Sequence, residues 1–205
     1  MEQSTASHPS ALGDQTPGAA IDSPHDDKAA TRARIVEAAT ARFEHYGYAK
    51  TTMAEIARDL SMSTGNLYRF FESKLDIAVA IASHKNEEED AMYFWLASQP
   101  APAEVRLREH LFTVLRHTFT MIADSPKIYE IARVISEQRP SFANGRLAVE
   151  RKILRGIFRD GVAEGVFAPG TDSEEVAEMF QVTMMKFRYP QLFSKLPLAA
   201  LEREL

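Results

Sequence analysis

The chain has no cysteine among its 205 residues. That excludes disulfide scaffolds, zinc–cysteine sites, iron–sulfur clusters and thiol catalysis. It has no Lys or Arg before Lys28 and no apolar stretch ahead of it, so no secretory signal is expected. No apolar run approaches the roughly 18 residues of a membrane span. These absences point to the cytoplasm. Enzyme signatures are also missing: there is no Gly-rich phosphate loop, no Gly-x-Ser-x-Gly elbow and no His-Glu-x-x-His pair. His110 and His117 stand about two helical turns apart, too far for one metal without other ligands. Glu87, Glu88, Glu89 and Asp90 are consecutive, so they fan around a helix and read as a solvated face. Neither a cofactor nor an enzymatic activity is expected.

Basic charge is scarce overall but concentrated locally. The formal net charge is −5. Residues 1–27 carry five acids and no base, whereas residues 28–85 carry nine Lys or Arg against six Asp or Glu. Residues 86–205 return to acidic, with fifteen bases against eighteen acids. Phosphate contact needs a local basic patch, not a basic whole, so the middle block permits nucleic-acid binding.

Residues 1–27 are rich in Ser, Thr, Pro, Gly, Ala and Asp and read as a disordered acidic tail. From Lys28 onward the pattern is helical. The first helix covers about 28–46, with Ile35, Ala39, Phe43 and Tyr46 on one stripe and Gly47 as a left-handed stop. Thr52 and Glu55 form a capping box for a second helix, whose inward face is Met53, Ile56, Ala57 and Leu60. Ser63 caps a third, ending near Phe71. Ser73 with Asp76 opens a long fourth helix through Ala97. Beyond the Pro100–Pro102 break lie helices at about 103–123, 126–138 and 141–163. Thr171 or Ser173 caps an eighth through Arg188, and a ninth begins after Pro197. The expected class is all-α, with about nine helices.

Two short helices joined by a few residues form a helix-turn-helix unit, whose second helix enters the major groove. With about 100° per residue, Leu67, Phe70 and Phe71 share the inward face of the third helix. Gly65, Asn66, Tyr68 and Arg69 fall on the other. Arg69 suits guanine O6 and N7, and Asn66 suits adenine N6 and N7. Thr64 can touch a base or a thymine methyl. Gly65 allows close approach of the backbone. Tyr68, Thr51 and Thr52 offer hydroxyls to phosphate, which sets register without reading sequence, and Ser63 is expected among the DNA-binding residues as well. Lys74, at a helix start, is expected on a phosphate as well.

The segment from Thr31 to Ile77 resembles the DNA-binding domain of the TetR family of bacterial transcriptional regulators. The matching residues are Ile35, Ala38, Ala39, Phe43, Gly47, Tyr48, Thr51, Thr52, Ile56 and Ala57, then Ser63, Gly65, Leu67, Tyr68, Phe70, Phe71, Ser73 and Lys74. The run Ser-Thr-Gly-Asn-Leu-Tyr-Arg-Phe-Phe-Glu-Ser-Lys over residues 63–74 is a strong signature of that family. There are departures. Ser61 and Met62 stand where the family often has Gly and Val, and Ser61 costs stability if its backbone is left-handed. Thr64 stands where Lys is common, and Arg69 where His is common. These change which operator is read.

The resemblance implies a helix-turn-helix domain at 28–75 and an effector-binding and dimerisation domain at 76–205. It implies a homodimer on a palindromic operator, acting as a repressor that a small, largely apolar effector releases. Double-stranded operator DNA, a second copy and the effector are then the partners, with no membrane. Large soft residues mark the later helices. Trp95, Phe112, Phe119, Tyr129 and Phe158, with the polar Arg116, Arg133 and Gln181, are the candidate effector contacts. His110, His117 and Gln138 are further polar candidates. The candidate dimer residues are Met179, Val182, Thr183 and Lys186. The sequence stops at Leu205, early for a ninth helix of usual length, so either that helix is short or the sequence is truncated. The runner-up readings keep the DNA contact: a transcriptional activator, or a DNA binder without sequence preference.

Overall fold

The structure is a computed structural model that describes residues 24–124, 126–189 and 196–205. Among these residues every regular element is helical. The helices are α1 (Pro24–Tyr46), α2 (Met53–Asp59), α3 (Thr64–Tyr68), α4 (Lys74–Ala97) and α5 (Ala103–Asp124). They continue with α6 (Pro126–Gln138), α7 (Pro140–Ala163), α8 (Ser173–Thr183), α9 (Met185–Arg188) and α10 (Leu198–Glu204). Helix α1 starts four residues before the expected Lys28. The rest of the expected acidic tail, residues 1–23, lies outside the described residues, as does the expected cap Ser125.

The first three helices wrap a small apolar centre. Ile35, Ala39 and Phe43 of α1 are fully buried against Met53, Ile56, Ala57 and Leu67. Tyr46, expected on the same stripe, is 51% exposed. It is the last residue of α1, and its ring lies edge-on to His45 and beneath Arg42 instead. Gly47 then takes φ +89, a left-handed backbone that Gly adopts without a side-chain clash, and its N–H closes on Phe43 O at 2.9 Å. Helix α2 starts with the Thr52–Glu55 capping box. Helix α3 starts with Ser63 Oγ accepting from Asn66 N at 3.1 Å, but it ends at Tyr68, before the expected Phe71. Ser61, between α2 and α3, has φ 54. A side chain is disfavoured in that left-handed conformation, the strain anticipated for a Ser at a family Gly position.

The core does not stop at the first three helices. Leu75, Ile77, Ala78 and Ile81 of α4 and Ile131 and Ile135 of α6 belong to the same buried cluster as Ile35 and Leu67. A second cluster joins Tyr93, Ala103, Val114, Ile153 and Ile157 across α4, α5 and α7. Arg106, only 7% exposed, ties that region together. Its guanidinium donates to Ala97 O at 2.8 Å, Ala101 O at 2.9 Å, Asp160 at 3.0 Å and Glu164 at 2.7 Å. A buried guanidinium is tolerated because its donors are spoken for.

Helices α7 and α8 pack through Leu154, Phe158 and Ala177. Gly161 makes room for the chain's return, since a Cβ there would stand 2.3 Å from the Phe167 ring. The cap of α8 is neither Thr171 nor Ser173. Asp172 accepts from Glu174 N and Glu175 N, and a carboxylate is better placed than a hydroxyl to take two amides at a positive helix end. Helix α8 also stops short of Arg188. Thr183 Oγ1 bonds back to Phe180 O, Met184 leaves the helical conformation, and the four-residue α9 follows.

Candidate nucleic-acid interface and effector cavity

Helix α3, the expected reader helix, is built as a two-faced element. Leu67 is fully buried and Phe71 is 3% exposed, holding α3 on α1 and α2. Arg32 of α1 clamps the end of α3, donating to Phe70 O with its guanidinium over the Phe71 ring at 4.1 Å. The outward face carries Gly65, Tyr68 and Arg69, all exposed, with Thr64 and Asn66 half-buried at its edge. Tyr68 is 50% exposed, and no atom stands within 4 Å of where a Gly65 Cβ would sit. Asn66, Arg69 and Phe70 share a shallow groove with Asp27, Lys28 and Thr31. The start of α1 therefore lies beside the reader face. Periodicity along α1 alone could not place Lys28 and Thr31 there.

Thr52 and Ser63 are exposed, and both already serve as N-caps. Two assignments to phosphate need correction. Thr51 is 1% exposed, and its hydroxyl donates to Gly47 O at 3.0 Å, so it holds the turn closed and does not face solvent. Lys74 is turned inward. Its ammonium donates to Tyr48 O at 2.6 Å and Thr51 O at 2.7 Å and stands 4.2 Å from the centre of the Tyr48 ring. Burial pulls its pKa below the ordinary lysine value, against the opposing pull of Glu130 and Glu55. Lys74 braces the turn between α1 and α2.

A cavity of about 180 Å³ opens between α4, α5, α6, α7 and the α9 end. Ile81, Met121, Ile122, Ile131, Ile135 and Phe142 form its apolar wall. Its lining also carries the charged and titratable Lys85, Glu89, His117, Arg146 and Arg188. Glu89 accepts from His117 at 3.0 Å and from Arg146 at 3.3 Å. Burial pushes the Glu89 carboxyl up, but the His117 hydrogen bond and the neighbouring cations outweigh it and leave the group below its ordinary range. Ile81, Ile131 and Ile135 belong both to this wall and to the core around α1, α2 and α3. Polar ties run the same way. Lys127 of α6 donates to His45 O, Glu130 accepts from Ala49 N at 3.3 Å, and Arg139 pairs with Asp76 at 3.1 Å.

The chain matches the family described as bacterial regulatory proteins, tetR family, over residues 35–81. It also matches the tetracyclin repressor-like C-terminal domain over residues 103–205. This protein belongs to the TetR family. It is thus a DNA-binding transcriptional regulator. It is similar to the HTH-type transcriptional repressor KstR2 of Mycobacterium tuberculosis, 26% identical over 157 residues, 74% of this chain and 76% of that one. In fold it is similar to a TetR/AcrR-family regulator from Thermobifida fusca, with a TM-score of 0.65, 19% identity and 85% and 93% of the two chains covered. It is also similar to FadR from Bacillus subtilis, solved in complex with stearoyl-CoA, with a TM-score of 0.60, 21% identity and 84% and 94% covered.

Within this TetR-family chain the expected effector contacts scatter. Of the eight, Tyr129 lines the cavity. Trp95 is 61% exposed at the end of α4. Arg116 pairs with Glu202 at 2.6 Å and Arg133 with Glu137 at 2.7 Å, both on the surface. Phe158 packs in the α7–α8 core between Phe167 and Phe180. Gln181 is buried, donating to Leu147 O at 2.8 Å and accepting from Arg151 at 3.1 Å. Phe112 and Phe119 are half-buried but outside the cavity wall, because α5 turns His117, Thr118, Met121 and Ile122 inward instead. His117 is in the wall, Gln138 is exposed and His110 is fully buried. Of the dimer candidates, Met179 and Val182 are 60% and 65% exposed, and Thr183 is exposed beside them. Lys186 falls on α9, where its ammonium is taken by Glu204.

Proposed function

We propose that the protein is a cytoplasmic repressor that binds a palindromic operator as a homodimer and leaves it when a small, largely apolar effector enters the α4–α7 cavity. The observation that carries this reading is the wall shared by two machines. Ile81, Ile131 and Ile135 form part of the cavity and part of the core that seats α3. An occupant that spreads α4 from α6 must move the reader helix, because a close-packed core transmits displacement. Residues 28–75 then act as the DNA-binding unit and residues 76–205 as the effector and dimer unit, with α4 passing through both.

In the bound state α3 lies in the major groove. Arg69 and Asn66 meet base edges, Thr64 meets a base edge or a thymine methyl, and Thr52, Ser63 and Tyr68 meet the backbone. Met179, Val182 and Thr183 supply an exposed apolar strip on α8 for the second copy. The test is selection of bound fragments from a genomic library at near-physiological salt, with mass measured in solution on the same preparation. A recovered palindrome and a dimer mass support the reading. Affinity that is the same for all sequences would overturn it in favour of non-specific DNA binding.

A further inference from the structure

Cationic side chains outnumber carboxylates in the cavity lining. Three permanent cations, Lys85, Arg146 and Arg188, face it against one carboxylate, Glu89. Glu89 is already engaged by His117 and Arg146, and Arg146 also pairs with Asp90 outside the wall. Arg188 is different. Among the described residues its side chain makes one hydrogen bond, Nη1 to Thr118 Oγ1 at 2.9 Å. Its nearest carboxylate, Glu150, stands at 3.9 Å, beyond hydrogen-bond reach. A guanidinium carries five donors, so most of Arg188 is unspent.

A second observation lies outside the cavity lining, within the electrostatic reach of Arg188. Tyr93 is one turn past Glu89 on α4, and His110 is two turns before His117 and Thr118 on α5. They are 4% and 1% exposed, and their rings meet edge-on at 5.3 Å. The Tyr93 hydroxyl and both His110 ring nitrogens have no partner among the described residues. Buried polar groups are rarely left so. Burial, with Arg188 adding to it, holds His110 down to about 4, so it is a neutral ring at pH 7.

We infer that the effector is a small apolar carboxylate, its anionic group taken by Arg188 and its tail laid against Ile81, Ile122, Ile131, Ile135 and Phe142. A carboxylate matches a guanidinium fork with two parallel charge-assisted bonds. An amine would meet three cations, and an alcohol would leave Arg188 unspent. The Glu89 charge does not repel the ligand strongly, because Arg146 already pairs with it. The volume of about 180 Å³ is smaller than the ~300–1,000 Å³ of drug-sized sites, so the tail is short. This inference rests on the cavity being the effector site.

The test is calorimetric titration of the full chain at pH 7 with hexanoate, 1-hexanol, hexylamine and hexanoyl-CoA. Hexanoate should bind at least tenfold more tightly than 1-hexanol, and hexylamine should give no signal. Arg188→Met should lower hexanoate affinity tenfold or more, to the level of 1-hexanol, and leave 1-hexanol unchanged. Arg188→Lys, which keeps the charge but not the fork, should fall between, and ligand-free melting of both variants establishes that they fold. The inference is overturned if 1-hexanol binds as well as hexanoate, if Arg188→Met keeps hexanoate affinity, if hexanoyl-CoA binds and free hexanoate does not, or if none of the four binds. The same preparation is titrated with selected operator DNA. Specific DNA binding without any of the four ligands sinks the carboxylate alone, whereas no specific DNA binding sinks the repressor reading itself.

Discussion

Replacing Lys74 with methionine separates a structural brace from a phosphate contact. The variant keeps the apolar stem on Tyr48 and removes the ammonium that donates to Tyr48 O and Thr51 O at 2.6 and 2.7 Å. Hydrogen bonds to a charged donor contribute about 1.5–3 kcal/mol each. Thr51 N still donates to Tyr48 O at 3.2 Å, so chiefly the Thr51 carbonyl is orphaned. Lys74 is half-buried, and water replaces part of what is lost. Together these suggest a loss of about 2 kcal/mol, or about 4–8 °C in Tm for a chain of this length. The salt dependence of operator binding should barely change, because a phosphate contact would contribute about 0.9 to its slope and a brace contributes almost none. The assay pairs urea unfolding with binding isotherms at several salt concentrations. Unchanged stability with a slope flattened by about 0.9 would refute the reasoning and return Lys74 to the DNA backbone.

Ser61→Gly should stabilise the chain by about 1 kcal/mol, since it removes a side chain from a backbone at φ 54, and a urea midpoint that falls would contradict this. Arg69→Ala should cost about 1–3 kcal/mol of operator affinity and relax discrimination at one base of each half-site, so an unaltered preference in selected fragments would end its assignment as a base reader. His110 makes the chain acid-sensitive. Its pKa falls from 6.5 when unfolded to about 4 when folded, so the unfolded chain takes up the proton first and stability drops by about 3 kcal/mol as pH falls from 6.5 to 4. The difference in unfolding free energy between the wild type and His110→Leu should change across that window and not below it.

Much of the DNA-reading unit was legible in the residues because its determinants are local. A capping box needs Thr52 and Glu55 at the right spacing, a left-handed stop needs Gly47, and the faces of α3 follow from helical repeat alone. Helices α5 to α7 began and ended within a residue or two of their Pro and Gly punctuation for the same reason. The lining of the cavity was not legible. A stripe of large residues announces that a face is covered, but not by which neighbour. Thus Phe158 went to the α7–α8 core and Trp95 to the surface, while Glu89, read from sequence as part of a solvated run, was carried into the cavity by the turn of α4. Lys74 shows the same limit on a smaller scale. Its position at a helix start was written in the chain, but the two carbonyls that capture it lie 26 and 23 residues earlier and come within reach only when α1, α2 and α4 pack. Short-range hydrogen bonding and helical period, which one strand of sequence encodes, determined the elements and the reader face. The side-chain partners of buried charges, and the cavity they line, were decided by long-range packing.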